Sequence, residues 1–240
     1  MHKFNTVFVY RLPIDKFFLR YYNDFRFNVR MLFMIKVYLI DISRNFDFEK
    51  CIKHFPKRYE DAQRYRHNDD VLRSYAAGVL LWKVLGLEDC DIEYGDNGKP
   101  FSRKTNLCFN ISHSGKWVVL AVDNDEVGVD VETPRPNSLR IKERVFTQNE
   151  LEYMSVEPLK RFTQLWTLKE AVMKHLGAGL SLNAKSFDVM PLIEGKSVTV
   201  NNQTLYALTK FIGDYPLSVC STNPIPDFEI SVYNNKSHSC

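Results

Sequence analysis

Two short stretches hold the residues whose types and spacing could do chemistry. The first is Trp166-Thr-Leu-Lys-Glu-Ala-Val-Met-Lys-His-Leu-Gly177. Leu165, Leu168, Val172, Met173 and Leu176 recur at helical spacing, which predicts a helix with one apolar face. Gly177 supplies a C-terminal stop. Trp166, Glu170 and Lys174 stand at i, i+4 and i+8, so they share a second face. Taken alone, Glu170 and Lys174 are an ion pair on a solvated helix, worth a few tenths of a kcal/mol. A second acidic group elsewhere changes that reading.

That group is in Val127-Gly-Val-Asp-Val-Glu132, where apolar and acidic residues alternate as in a strand. Residues i and i+2 of a strand point to the same side, which puts Asp130 and Glu132 roughly 7 Å apart. Val127, Val129 and Val131 give the opposite face a packed role. Two neighbouring carboxylates repel unless a cation lies between them. If the helix lies beside this strand, Glu170 joins Asp130 and Glu132 as a third carboxylate. Such a set suits a hard cation, and Mg²⁺ is the usual occupant where phosphates supply the remaining ligands.

The elements that must position these residues come from a chain of 240 residues, 45% of them hydrophobic, which is enough for a substantial core. The net charge of +3 is too small to argue for nucleic acid. Residues 1–33 carry six basic residues against two acidic ones, so the remainder is nearly neutral. Anion binding in the body must therefore come from local placement. Five cysteines without CxxC or metal-finger spacing point to reduced thiols in a cytoplasmic protein. No run of 18 apolar residues predicts a membrane span, and no signal-peptide pattern opens the chain.

Residues 1–33 are rich in Phe, Tyr and Arg without a period, and read as an N-terminal extension. The folded domain is expected to begin near Met34, with a first strand ending at Asp41. A basic helix is predicted over 47–67 and a longer one from Val71 to Leu85, capped by Asn68-Asp69-Asp70. Leu107 to Gly115 reads as a strand ending in a polar turn that carries Ser112, His113 and Ser114. Trp117–Val122 and Val127–Val131 are predicted to form a hairpin. Thr147-Gln-Asn-Glu150 is a capping box, and a helix from about Pro158 leads into the 166–177 segment. Short runs at Ser197–Val200, Thr204–Leu208, Pro216–Cys220 and Phe228–Val232 read as antiparallel strands. The fold class is α+β, in two halves of similar size, 34–126 and 127–240.

Taken in order, Gly98-Lys99-Pro100, Phe109-Asn-Ile-Ser-His-Ser-Gly115, Gly128-Val-Asp-Val-Glu132, Phe146-Thr147 and Trp166-Thr-Leu-Lys-Glu170 with Lys174 resemble the Sfp-type 4′-phosphopantetheinyl transferases. The resemblance spans roughly residues 35–235. It implies a pseudo-twofold pair of halves with coenzyme A in the cleft between them. It also implies Mg²⁺-dependent transfer of phosphopantetheine to a serine of an apo carrier protein (acyl, peptidyl or polyketide), with release of adenosine 3′,5′-bisphosphate. Length within the family implies a monomer.

By the same resemblance Asp130, Glu132 and Glu170 look like metal ligands. Lys169 and Lys174 look like pyrophosphate contacts, and Ser112, His113, Lys99 and Arg73 like phosphate contacts. Arg58 falls where the family has a base for the 3′-phosphate, but Asp61 stands where a second base is common. Glu170 is the first choice for proton acceptor, with a Glu132-bound water as its rival, and Lys174 or Lys169 steadies charge on the leaving group. Two other classes stay open. A Mg²⁺-dependent phosphate-ester hydrolase would use the same three carboxylates with water and need no carrier. A non-catalytic module would bind a partner through the aromatic-rich start and the basic 55–67 helix and would not need Asp130.

Overall fold

A computed structural model describes residues 34–44 and 49–233. The extension at 1–33, the first residues of the 47–67 helix and the tail after Tyr233 lie outside the described residues. In chain order the strands are β1 (Lys36–Asp41), β2 (Glu93–Tyr94), β3 (Pro100–Phe101), β4 (Cys108–Ser114), β5 (Trp117–Asp123), β6 (Val127–Val131), β7 (Val198–Val200), β8 (Gln203–Ile212), β9 (Tyr215–Ser221) and β10 (Glu229–Val232). The helices are α1 (Glu49–His54), α2 (Pro56–Ala62), α3 (Asn68–Leu85), α4 (Lys142–Val145), α5 (Gln148–Tyr153), α6 (Pro158–His175) and α7 (Met190–Ile193).

The fold is α+β, with two four-stranded sheets ordered β10-β1-β5-β4 and β6-β9-β8-β7 and a small β2-β3 pair. Alternation along β1 and β5 decides the layering. Ile40, Val118 and Leu120 face α3, while Val37, Leu39, Val119 and Ala121 face the second sheet. Val129, Val131, Leu217 and Val219 meet them from β6 and β9. The far face of the second sheet packs Leu205, Ala207 and Cys220 against Leu165, Leu168 and Val172 of α6. The result is helix, sheet, sheet, helix, with three apolar layers between.

Four expectations are corrected. The basic helix is two helices, α1 and α2, broken where fully buried Phe55 precedes Pro56, which cannot donate to a continuing helix. The strand through Ser112 and His113 does not end in a turn there; β4 continues to Ser114. Trp117–Asp123 and Val127–Val131 are not a hairpin. β5 pairs with β1 and β4, whereas β6 pairs with β9 in the other sheet. Both strands are buried on both faces, and each needs a sheet partner and a layer on either side. Finally, the run at 228–232 is not antiparallel; β10 lies parallel to β1. The first sheet therefore takes in a strand from residues 229–232 beside its strands from residues 36–123.

The expected capping box is present: Thr147 Oγ1 accepts the Glu150 N–H at 3.4 Å and Glu150 Oε2 accepts the Thr147 N–H at 2.8 Å. No side-chain cap forms at the start of α3, whose N-cap is His67. The helix carrying Glu170 ends as the sequence predicts, with Gly177 in the left-handed region at φ 61°.

One contact sets where α6 sits. A Cβ built on Gly128 would lie 2.0 Å from the Ala171 carbonyl oxygen and 2.5 Å from the His175 nitrogen. Helix backbone therefore rests directly on strand backbone. Gly128→Ala is expected to displace α6 and lower stability by about 1–3 kcal/mol or more, read as a drop in the urea midpoint; an unchanged midpoint would show that the helix has room to shift.

Candidate functional site

β4 and β6 are the facing edges of the two sheets, and side chains rather than a backbone ladder join them. Asn110, Ser112 and Ser114 occupy alternate positions of β4 and are all buried. Asn110 Oδ1 accepts the Val129 N–H at 3.0 Å. Ser112 Oγ donates to Asp130 Oδ1 at 2.7 Å, and Ser114 Oγ donates to Glu132 Oε2 at 2.8 Å. Each residue of this polar row addresses one step of the acidic strand.

The helix adds the next layer. Lys174 does not pair with Glu170, as a solvated helix would have it. Its ammonium reaches across to Asp130 Oδ1 at 2.7 Å and to Ser112 Oγ at 2.8 Å. Glu170 faces the two strand acids. Burial, then the charges of Asp130 and Glu132, push its carboxyl up to about 7, against a partial offset from Lys174. Glu132 is also raised, first by burial and then by Asp130, with the Ser114 hydrogen bond opposing. Glu170 thus feels the charges of both strand acids, and Glu132 feels that of Asp130. Asp130 Oδ2 is buried with no hydrogen-bond partner. Among the described residues no three His, Cys, Asp or Glu side chains are already gathered as a metal cage.

Two cations and an imidazole stand beside these acids. Arg73, at the start of α3, donates to the Gly115 carbonyl at 2.6 Å and to Asp70 Oδ1 at 2.5 Å. The His113 side chain opens to solvent between the walls, yet its imidazole is held below the usual histidine range. Desolvation by the walls comes first, followed by the charges of Arg73 and Lys174. Arg73, His113 and Lys174, from three separate elements, thus share one positive region.

Three sequence-predicted residues are not brought to it. Lys169 is fully buried on the opposite side of α6, where its Nζ meets Glu150 Oε1 at 2.9 Å and the carbonyls of Ala184 and Phe187 at 2.7 and 2.6 Å. Five residues from Lys174, it is turned by about 140° around the helix. The pyrophosphate contact read for Lys169 is therefore corrected: its ammonium is occupied inside the core. Lys99 is committed as a strut. Its Nζ pairs with Glu126 Oε2 at 2.5 Å and caps the C-terminal end of α6 at the His175 carbonyl, 2.9 Å away. It lines an open pocket of about 530 Å³ with the 95–102 loop, Phe109 and Gly177. Arg58 packs over Phe55, 5.8 Å from the ring centroid, with its backbone N–H toward Asp89. Its Nε is buried without a partner.

The likeness extends beyond the short motifs. Residues 126–220 match the model of the 4′-phosphopantetheinyl transferase superfamily. A 4′-phosphopantetheinyl transferase of Bacillus subtilis is 33% identical over 187 residues, which covers 73% of this chain and 80% of that protein. This chain belongs to that family. The 4′-phosphopantetheinyl transferase ffp of Bacillus subtilis is 36% identical over 184 residues, covering 70% of this chain and 82% of ffp. The AcpT transferase of Salmonella typhi is 41% identical over 113 residues, 43% of this chain and 58% of AcpT. The superfamily match contains all three carboxylates and Lys174, whereas Arg73 and His113 precede it. Among the described residues no helix is long and apolar enough to cross a membrane.

Sequence reasoning missed the second partner of Glu150 and the contact of Ser114 with Glu132. Glu150 was seen only as a cap, yet its Oε1 also accepts the Val189 N–H at 2.8 Å beside Lys169. Ser114 was legible as the third member of the period-two row Asn110, Ser112, Ser114.

Two outcomes follow from these charges. Lys169→Met strands the buried Glu150 carboxylate and is expected to cost about 3–5 kcal/mol, measured by chemical denaturation. Glu170 ionises at 4.5 when exposed and at about 7 in the fold, so the folded state holds the proton longer. Without divalent cation, stability then falls as pH rises from 4.5 to 7. In chelator, Glu170→Gln is expected to melt above wild type at pH 8 and level with it near pH 4.5; equal melting temperatures at pH 8 would contradict the assigned burial of charge.

Proposed function

We propose that this cleft transfers 4′-phosphopantetheine from coenzyme A to a serine hydroxyl of an apo carrier protein and releases adenosine 3′,5′-bisphosphate. The observation that carries this is the meeting of three mutually repelling carboxylates with Arg73, His113 and Lys174 in one cleft between the sheets. A ligand that brings phosphate anions together with a divalent cation relieves both sets of charges. A phosphate ester alone satisfies only the cations.

The residues fit a divalent cation. The donors are all oxygens, which suits Mg²⁺, and Asp130 Oδ2 is a buried acceptor still without a partner. In this reading Asp130, Glu132 and Glu170 hold the ion. When bound, it supplies charge neutralisation on the pyrophosphate oxygens.

The chain's own groups do the rest. Arg73 is pre-oriented by Gly115 and Asp70, so it grips a phosphate without first losing side-chain freedom. His113 and Ser112 add donors, and Lys174 places its charge where the diphosphate must lie. Glu170 is the first choice to accept the serine proton, with a Glu132-bound water as its rival, since a carboxylate that holds a cation is a weaker base. The serine oxygen bonds to the phosphorus that bears pantetheine. The bond from that phosphorus to the bridging oxygen breaks, and the electron pair leaves with adenosine 3′,5′-bisphosphate, its charge met by Lys174. In the same reading the two halves are related by a pseudo-twofold axis, and the enzyme works as a cytoplasmic monomer.

The test is incubation with coenzyme A, Mg²⁺ and an apo carrier protein, followed by intact mass of the carrier. One phosphopantetheine per carrier is expected. Glu170→Ala should still bind coenzyme A but lose transfer by about 10²-fold or more, the range of general acid–base catalysis. Activity within about threefold of wild type is too small a change for that role and would remove Glu170 from it. Phosphopantetheine released without carrier would instead indicate a hydrolase.

A further inference from the structure

The Ser114 hydroxyl has no part in the steps above, yet every bond it can make is engaged. Its side chain is buried on the side of β4 that faces β6. Its Oγ accepts the Thr133 backbone N–H at 3.0 Å, and Thr133 Oγ1 lies 3.2 Å away. The single hydroxyl proton goes to Glu132 Oε2 at 2.8 Å, the shorter and charge-assisted contact.

The next residue supplies a second hold. The Gly115 carbonyl accepts Arg73 Nη1 at 2.6 Å. Gly115 has φ 54°, and a Cβ there would stand 2.5 Å from Thr133 Oγ1 and 2.9 Å from the Tyr215 hydroxyl. The turn is therefore moulded around Thr133. Two consecutive residues of one tight turn hold Glu132 by its carboxylate and Arg73 by its guanidinium.

We propose that Ser114 is a positioning residue: its hydroxyl, held by Thr133, fixes the Glu132 carboxylate in the orientation that a divalent cation needs. This rests on Glu132 being a cation ligand. A ligating carboxylate that is itself hydrogen-bonded has lost its rotation before the ion arrives, and removing such a partner weakens metal affinity by about 10–100-fold. The effect passes through Glu132, so it falls on cation affinity and spares affinity for coenzyme A.

Direct Mn²⁺ binding to the full chain by titration calorimetry, with KM for coenzyme A at saturating Mg²⁺, tests this. Ser114→Ala is expected to weaken Mn²⁺ binding by about tenfold or more and to leave KM for coenzyme A unchanged. Ser114→Thr keeps the hydroxyl and should restore Mn²⁺ binding. A loss confined to KM, or a threonine variant as weak as alanine, would overturn the proposal. Glu132→Ala is the reference. If it binds Mn²⁺ like wild type, the cation reading itself fails; if it binds weakly and Ser114→Ala does not, only the positioning role falls. Should the alanine variant not fold, Ser114→Cys keeps the size with a weak donor: weakened Mn²⁺ binding supports the role, and wild-type binding removes it.

Discussion

The absence of a side chain at Gly128 governs the geometry of the whole site. Because α6 rests on β6 backbone to backbone, the acids of the strand and the acid and base of the helix are set at fixed heights over one another. Sheets and helices ordinarily meet through a layer of side chains. Removing that layer at one point draws Glu170 and Lys174 down to Asp130 and Glu132. The buried Glu150–Lys169 pair on the far side of the same helix fixes its rotation, since neither partner can turn toward solvent without leaving a bare charge behind.

Given that placement, the electrostatics are a consequence of the fold. Like charges held together in a partly desolvated cleft are unfavourable, and the apolar layers on either side must offset them. Such arrangements concentrate at functional sites because the binding of the right ligand removes the strain. Here the strain has both signs. Glu132 and Glu170 hold their protons too tightly, and His113 releases its proton too easily.

Much of this was legible wherever a signal is local. The periodicities of 127–132 and 165–176, and the capping box at Thr147, all lie within a turn or a strand. What escaped the sequence depends on partners far along the chain. Lys169 and Lys174 are the same residue type on the same helix. Which of them enters the cleft depends on Glu150 and Asp130, 19 and 44 residues away. The hairpin expected at 117–131 failed because a four-residue polar turn reads alike whether the chain folds back on itself or passes to a second sheet. The row Asn110, Ser112, Ser114 had the right period. Its meaning required β6 to lie beside it, stitched by side chains and not by a ladder.

The parallel pairing of β10 with β1 also bears on how the protein is made. The first sheet is built from the first and the last of the described strands, which lie almost two hundred residues apart. During synthesis, β1 and β5 can associate early, but one flank of β1 stays open until residues 229–232 have emerged from the ribosome. Closing that distant contact is slow for entropic reasons, and an open flank is a place where other chains can join. The nascent chain thus carries an exposed sheet edge until β10 emerges and seals it.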